Sequence, residues 1–202
     1  MSRQNHQTSE AIAKEVTQQV TIIGGFLLIF WILEISDQFI FQNLWRGGLD
    51  IYGIMPRNMT GLRGVLFAPF LHGDFQHLIA NSIPFAILGW LVMFQRIRDF
   101  WVVTASATLV GGLGVWLVGA QNSVHLGASI LIFGYLGFLL FRGYFQRDIP
   151  SIAIACVVFF FYGSVLWGVL PTAPGVSWEG HLFGLIGGGV AAKLLSQSKH
   201  KA

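Results

Sequence analysis

Charge is what this chain has least of. Twelve Lys and Arg and nine Asp and Glu make up 10% of 202 residues, against roughly 25% in an ordinary soluble domain. So few charges cannot cover a water-facing surface, which excludes a soluble globular domain. The 54% hydrophobic content reads instead as a polytopic membrane protein, with a length that suits one domain. A net charge of +3 would raise nucleic acid as a partner, but no segment gathers the basic residues. They stand at the ends of apolar runs, as membrane topology requires, so the lipid bilayer is the expected partner and nucleic acid is not. Cysteine occurs once, as Cys156 inside an apolar run, which excludes an intrachain disulfide and leaves the compartment unread. A metal site is not expected: His72 and His77 are five apart, poor for one helix face, and no Cys or Glu completes the set. Internal repeats and low-complexity segments are absent. So is a recognisable cleavable leader, because the first apolar run follows a polar stretch, is too long for a leader core and lacks a small-residue cleavage site after it.

What is present is six apolar runs, near 20–41, 77–94, 100–119, 127–141, 151–170 and 181–195. A spanning helix needs roughly 20 residues. The expected fold is therefore an all-α membrane protein, a bundle of six transmembrane helices spanning 20–196, with polar tails at 1–19 and 197–202. The fourth run is short: 127–141 is about 22 Å of helix at 1.5 Å per residue, against a hydrocarbon core of about 30 Å. Its preceding segment, 120–126, is then expected at membrane depth. Irregular backbone is tolerated there only where it is buried in protein or lines a wet cavity, so a wet cavity is expected above Ser129. Arg3, Lys14, Arg96, Arg98, Arg142, Arg147, Lys193, Lys199 and Lys201 share one side of this topology, whereas 120–126 and 171–180 hold no Lys or Arg. Both termini are then expected in the cytoplasm. Arg46, Arg57 and Arg63 in the first loop dissent. That loop, 42–76, is long and rich in Gly, Pro and aromatics, and is expected to fold as an interfacial element.

Polar residues inside apolar runs are costly and mark functional sites by default. Ser129 opens the fourth run within Gly127-Ala128-Ser129, and His181 opens the sixth. Serine is common at packed membrane helix interfaces, but the small residues before it also leave the approach to a hydroxyl open. Gly184 and Gly188 share a helical face with His181, a Gly-x-x-x-Gly surface that lets helices come close and so lets imidazole reach hydroxyl. His77 and Asn81 are four apart, one turn on a single face of the second helix, and both can donate hydrogen bonds to an oxyanion. They can equally serve as interhelical hydrogen-bonding groups. No carboxylate is placed to complete a triad. Glu34 lies near the end of the first run, and Glu179 precedes His181 at an offset that points elsewhere on a helix. The pattern favours a Ser-His dyad, with Phe133, one turn after Ser129, as a packing partner for the imidazole. His125, beside the expected cavity, reads either as structural or as a substrate contact.

With these residues in place, the chain resembles the rhomboid family of intramembrane serine proteases. The matching pieces are Arg63, then Phe70-Leu71-His72-Gly73-Asp74-Phe75-Gln76-His77-Leu78-Ile79-Ala80-Asn81, then Gly127-Ala128-Ser129, then Trp178-Glu179-Gly180-His181-Leu182-Phe183-Gly184. Each is weak alone, but three in order on helices two, four and six is specific. The resemblance is to the basic six-helix bacterial form. It implies a serine endopeptidase of the bacterial plasma membrane that cleaves transmembrane segments through an acyl-enzyme and needs no cofactor. Ser129 would be the nucleophile and His181 the general base. His77, Asn81 and the Ser129 N–H would form the oxyanion hole. Gly127 would shape the approach, Arg63 and His72 would brace the first loop, and Phe133 would pack on the His181 ring. Two positions depart from the family pattern. Ile130 stands where glycine usually follows the serine and is expected to narrow the site or alter its hydrogen-bond shell. Leu62 stands where tryptophan often precedes the loop arginine. A rhomboid-like protein that binds or chaperones transmembrane clients without hydrolysis is the alternative. A six-helix transporter fits less well, for want of repeats or paired broken helices.

Overall fold

The computed structural model describes residues 3–172 and 175–199. Six long helices dominate: α1 Arg3–Ser36, α2 Phe75–Met93, α3 Ile97–Val118, α4 Ser129–Gln146, α5 Ile149–Tyr162 and α6 Trp178–Lys199. Strands are absent among the described residues, where the one sheet-like pairing is an isolated antiparallel bridge between Ile54 and His125. Five stretches are long and apolar enough to cross a membrane: Thr8–Leu44, α2, α3, α4 and Ile149–Val169. α6 matches α3 at 22 residues but is more polar, carrying Glu179, His181 and Lys193. It packs its glycine face inward and leaves Ile186, Val190 and Leu194 exposed at four-residue spacing.

The ends of these helices follow local chemistry. The Asp74 carboxylate caps α2 by accepting from the His77 N–H at 2.7 Å, and Asp148 caps α5 by accepting from the Ser151 N–H at 2.9 Å. Both use an acidic N-cap at the positive end of the helix. α4 ends at Arg147, whose left-handed φ of 56° stops propagation. α5 tightens into a 3-10 segment, Gly163–Val169.

Three boundaries differ from those the apolar runs suggest. Residues 3–19 are helical and continue unbroken into the first span, so the polar tail is an extension of α1. Of the expected tail 197–202, residues 197–199 belong to α6, and 200–202 lie outside the described residues. α4 begins at Ser129 but runs past Phe141 to Gln146, 18 residues or about 27 Å. The apolar run stops at Arg142 and the helix does not. Arg142 is a buried helical residue rather than a loop charge, paired with the buried Asp99 of α3 at 3.0 Å.

α4 is the centre of the bundle. Two-thirds of it is buried, whereas α5 is almost wholly exposed. Leu131, Tyr135, Leu136 and Phe138 are inaccessible. α6 lies against α4 through glycine. A methyl group at Gly184 would strike the Ile130 carbonyl, one at Gly188 the Gly134 carbonyl, and one at Gly137 the Leu185 carbonyl. Backbones this close gain dispersion contact along their length. α3 joins the same junction, where the Ser106 hydroxyl donates to the Gly187 carbonyl at 2.7 Å. The first loop is a string of short helical turns. Its dissenting arginines have structural partners. Arg57 donates to the last carbonyls around α3, Leu117 at 3.0 Å and Gly119 at 2.9 Å, which favours the negative helix end. Arg63 donates to the Ile51 carbonyl at 3.1 Å and lies over the Tyr52 ring at 4.3 Å.

Candidate active site

Two helix starts meet at the candidate site. Ser129 is the first residue of α4 and is partly exposed. Its N–H belongs to the first turn, whose amides have no intrahelical acceptor, and no side chain caps this end. The helix therefore presents an open, partially positive terminus beside the hydroxyl. The backbone before it is pinned from the first loop. The Gly127 N–H donates to the Ala68 carbonyl at 2.9 Å. The Ala128 N–H donates to His72 Nε2 at 3.4 Å, so His72 ties the two loops together instead of bonding within its own. Burial, with His77 nearby, pushes His72 down to about 3, which keeps it the neutral acceptor this contact needs.

His181 lies in the first turn of α6, its N–H donating to the Ser177 carbonyl at 3.1 Å. Its Nδ1 is 2.8 Å from the Gly168 carbonyl oxygen. A carbonyl only accepts, so Nδ1 carries a proton, and in the neutral ring Nε2 then keeps a lone pair. The ring is stacked on Phe133, with centroids 4.0 Å apart and planes 8° from parallel. Phe133 is one turn beyond Ser129, so the stack holds the imidazole against the same helix that begins with the hydroxyl.

His77 and Asn81 approach from α2. Gly127 has φ +115°, and a Cβ there would lie 2.6 Å from His77 Cε1, 2.7 Å from Nε2 and 3.7 Å from Asn81 Nδ2. The structure thus brings the His77 ring, the Asn81 amide and the backbone before Ser129 to one place. Glycine is required there twice over, for the backbone angle and for the space. Asn81 uses one amide hydrogen on the His77 carbonyl at 3.0 Å and keeps a second.

Ile130 does not narrow this space. It is 3% exposed and points into a notch between α3 and α6, where a methyl on Gly111 would strike its Cγ2 and one on Gly180 would lie 3.1 Å from its Cγ1. The residue after the serine is one-third of a turn further round α4, so its bulk goes to the helix junction. Sequence reasoning missed the Gly168 carbonyl, the group that orients His181. A main-chain acceptor leaves no trace in residue type. The sole cue at that position is that a Cβ there would sit 3.2 Å from His181 Nδ1 and 3.1 Å from the Phe133 ring.

An all-helical membrane bundle with a serine and a histidine on adjoining helix starts, and donors converging from a third, is the class of structure described here. Residues 60–198 match the model of the Rhomboid domain, and the chain belongs to the rhomboid family. It is a multi-pass integral membrane protein. Uncharacterized proteins of Mycobacterium tuberculosis and Mycobacterium leprae are 43% and 44% identical over 194 and 190 residues. Those matches cover 90% of this chain in each case and 79% and 73% of the relatives. A Bacillus subtilis protein, provisionally named a rhomboid protease, is 29% identical over 166 residues, covering 78% of this chain and 79% of its own.

Proposed function

We propose that this chain is an intramembrane serine endopeptidase that cleaves transmembrane-segment substrates. The observation that carries this reading is the setting of His181: Nδ1 is held by the Gly168 carbonyl and the ring is stacked on Phe133, so in the neutral ring Nε2 is the nitrogen with the lone pair. That is the form a general base requires. A substrate segment approaches laterally, unwinds near its outer end and presents a carbonyl to Ser129. Nε2 of His181 takes the hydroxyl proton as Oγ attacks. The charge on the tetrahedral oxygen falls toward the Ser129 N–H, His77 and the free amide hydrogen of Asn81, with the positive end of α4 behind it. His181 returns the proton to the leaving amine, and water hydrolyses the acyl-enzyme. Gly168 does the orienting that a carboxylate does in a triad, without adding a buried charge. The distribution of Lys and Arg supports cytoplasmic termini.

A fluorophosphonate probe tests the dyad directly. Wild-type protein is expected to be labelled at Ser129, and labelling is expected to vanish in both Ser129→Ala and His181→Ala. A wild type that stays unlabelled while folded favours a client-binding protein over a protease.

A further inference from the structure

One buried imidazole near the site has no part in this mechanism. His125 is 8% exposed, in the irregular segment between α3 and α4. Its backbone is fixed on both sides by the first loop: its N–H donates to the Ile54 carbonyl at 2.9 Å, and its carbonyl accepts from the Ile54 N–H at 2.8 Å. Both ring nitrogens are engaged. Nε2 is 2.7 Å from the Ser123 hydroxyl and Nδ1 is 2.7 Å from the Ser177 hydroxyl.

The direction of each bond follows by elimination. The Ser123 hydroxyl donates to the Ala120 carbonyl at 2.6 Å. It has one hydrogen, so toward His125 it can only accept. Nε2 therefore carries the proton. Nδ1 of the neutral ring is then an acceptor, and the Ser177 hydroxyl must donate to it. Ser177 Oγ meanwhile accepts from the Gly180 N–H at 3.3 Å, and the Ser177 carbonyl accepts from the His181 N–H at 3.1 Å. Every donor and acceptor in this chain is matched. Burial pushes His125 below the ordinary histidine range, against a weaker opposing pull from Glu179, which agrees with a neutral ring.

We propose that His125 is a positioning residue that clamps the segment leading to the nucleophile onto the start of the helix that carries the base. The spacing is symmetrical: Ser129 is four residues beyond His125, and His181 is four beyond Ser177. The clamp thus spans the two chain segments that must hold register for hydroxyl and imidazole to meet. Small misplacements of such groups cost up to about a hundredfold in rate. The inference rests on the protease reading for its consequence, not for its geometry.

The test uses the full chain in detergent, with rates expressed per site titrated by fluorophosphonate. His125→Ala and Ser177→Ala are each expected to lower kcat roughly tenfold with KM changed less than about twofold. The double variant should be no slower than either single, because both remove one link. His125→Asn, whose amide can still meet Ser177, is expected to recover most of kcat. Additive losses, or losses confined to KM, overturn the clamp. A second readout is independent of activity. In nitrogen-15 histidine spectra, the signal missing from His125→Asn should show a protonated Nε2 and a bare Nδ1, and Ser177→Ala should move the Nδ1 resonance where Ser129→Ala does not. The opposite tautomer contradicts the proposal. If the folded wild type cleaves nothing, the protease reading fails, and the spectra still decide whether the clamp exists.

Discussion

At the scale of single residues, two glycines carry most of the site's geometry. Gly127 combines a left-handed backbone with a position 2.6 Å from the His77 ring for any added Cβ. Gly127→Ala must therefore displace the ring proposed to meet the oxyanion. Loss of one such donor costs about 10²–10³ in kcat, so kcat is expected to fall by about a hundredfold, measured by progress curves per titrated site. Gly168→Ala acts on His181, the proposed base, instead. Its Cβ would press on His181 Nδ1 at 3.2 Å and on Phe133 at 3.1 Å, contacts that yield by a few tenths of an ångström. We expect kcat to fall roughly tenfold with the thermal midpoint little changed, which separates a shifted imidazole from a damaged fold. Ile130 belongs to the same scale. Its side chain is packed in the notch beside Gly111 and Gly180, so Ile130→Gly should open a cavity and cost about 2–5 kcal/mol of stability, read by reversible denaturation, rather than widen the site.

At the scale of elements, the close contact of α4 and α6 determines whether Ser129 and His181 can form the proposed dyad. Gly188 meets the Gly134 carbonyl so closely that any side chain must part the helices. Gly188→Leu is expected to destabilise by at least the 1–3 kcal/mol typical of overpacking and to lose activity with it, checked by denaturation and labelling together. At the other end of α4, Arg142 and Asp99 form a buried pair, extended when Arg142 donates to Gln95 and Gln95 donates to the Ser151 hydroxyl at 3.0 Å. Removing one charge, as in Asp99→Asn, leaves the other buried and unpaired, at a cost of about 3–5 kcal/mol. Asp99→Leu with Arg142→Met should recover much of that loss. These elements also show what residue order discloses. The helix starts at Ser129 and near His181 and the shared face of Gly184 and Gly188 are local patterns, and they were legible. The continuation of α4 to Gln146 was not, because it depends on Asp99, 43 positions away, neutralising Arg142. The orienting group of His181 was hidden for a different reason: it is a backbone carbonyl in the 3-10 segment after α5, and any residue type supplies one. The partners of Arg57 and Arg63 were hidden in the same way, being carbonyls at the end of α3 and in the first loop.

At the scale of the whole molecule, the arrangement solves one physical problem, placing polar chemistry inside a membrane. Ser129 opens the central, two-thirds buried α4. The first loop pins the irregular backbone before it through Ile54, Ala68 and His72, satisfying groups that hydrocarbon would leave unpaired. The 3-10 segment that follows α5, in a span that is hardly buried, supplies the Gly168 contact from the periphery, so the proposed base is held by a lightly anchored element. The central claim is hydrolysis by Ser129. Its most direct measurement is the cleavage of a model transmembrane substrate by the purified protein in liposomes, wild type beside Ser129→Ala. The account predicts a single cut near the outer end of the substrate segment in the wild type, and a loss of at least about a thousandfold in the variant. Equal cleavage by both, or none by a folded and correctly inserted wild type, contradicts it.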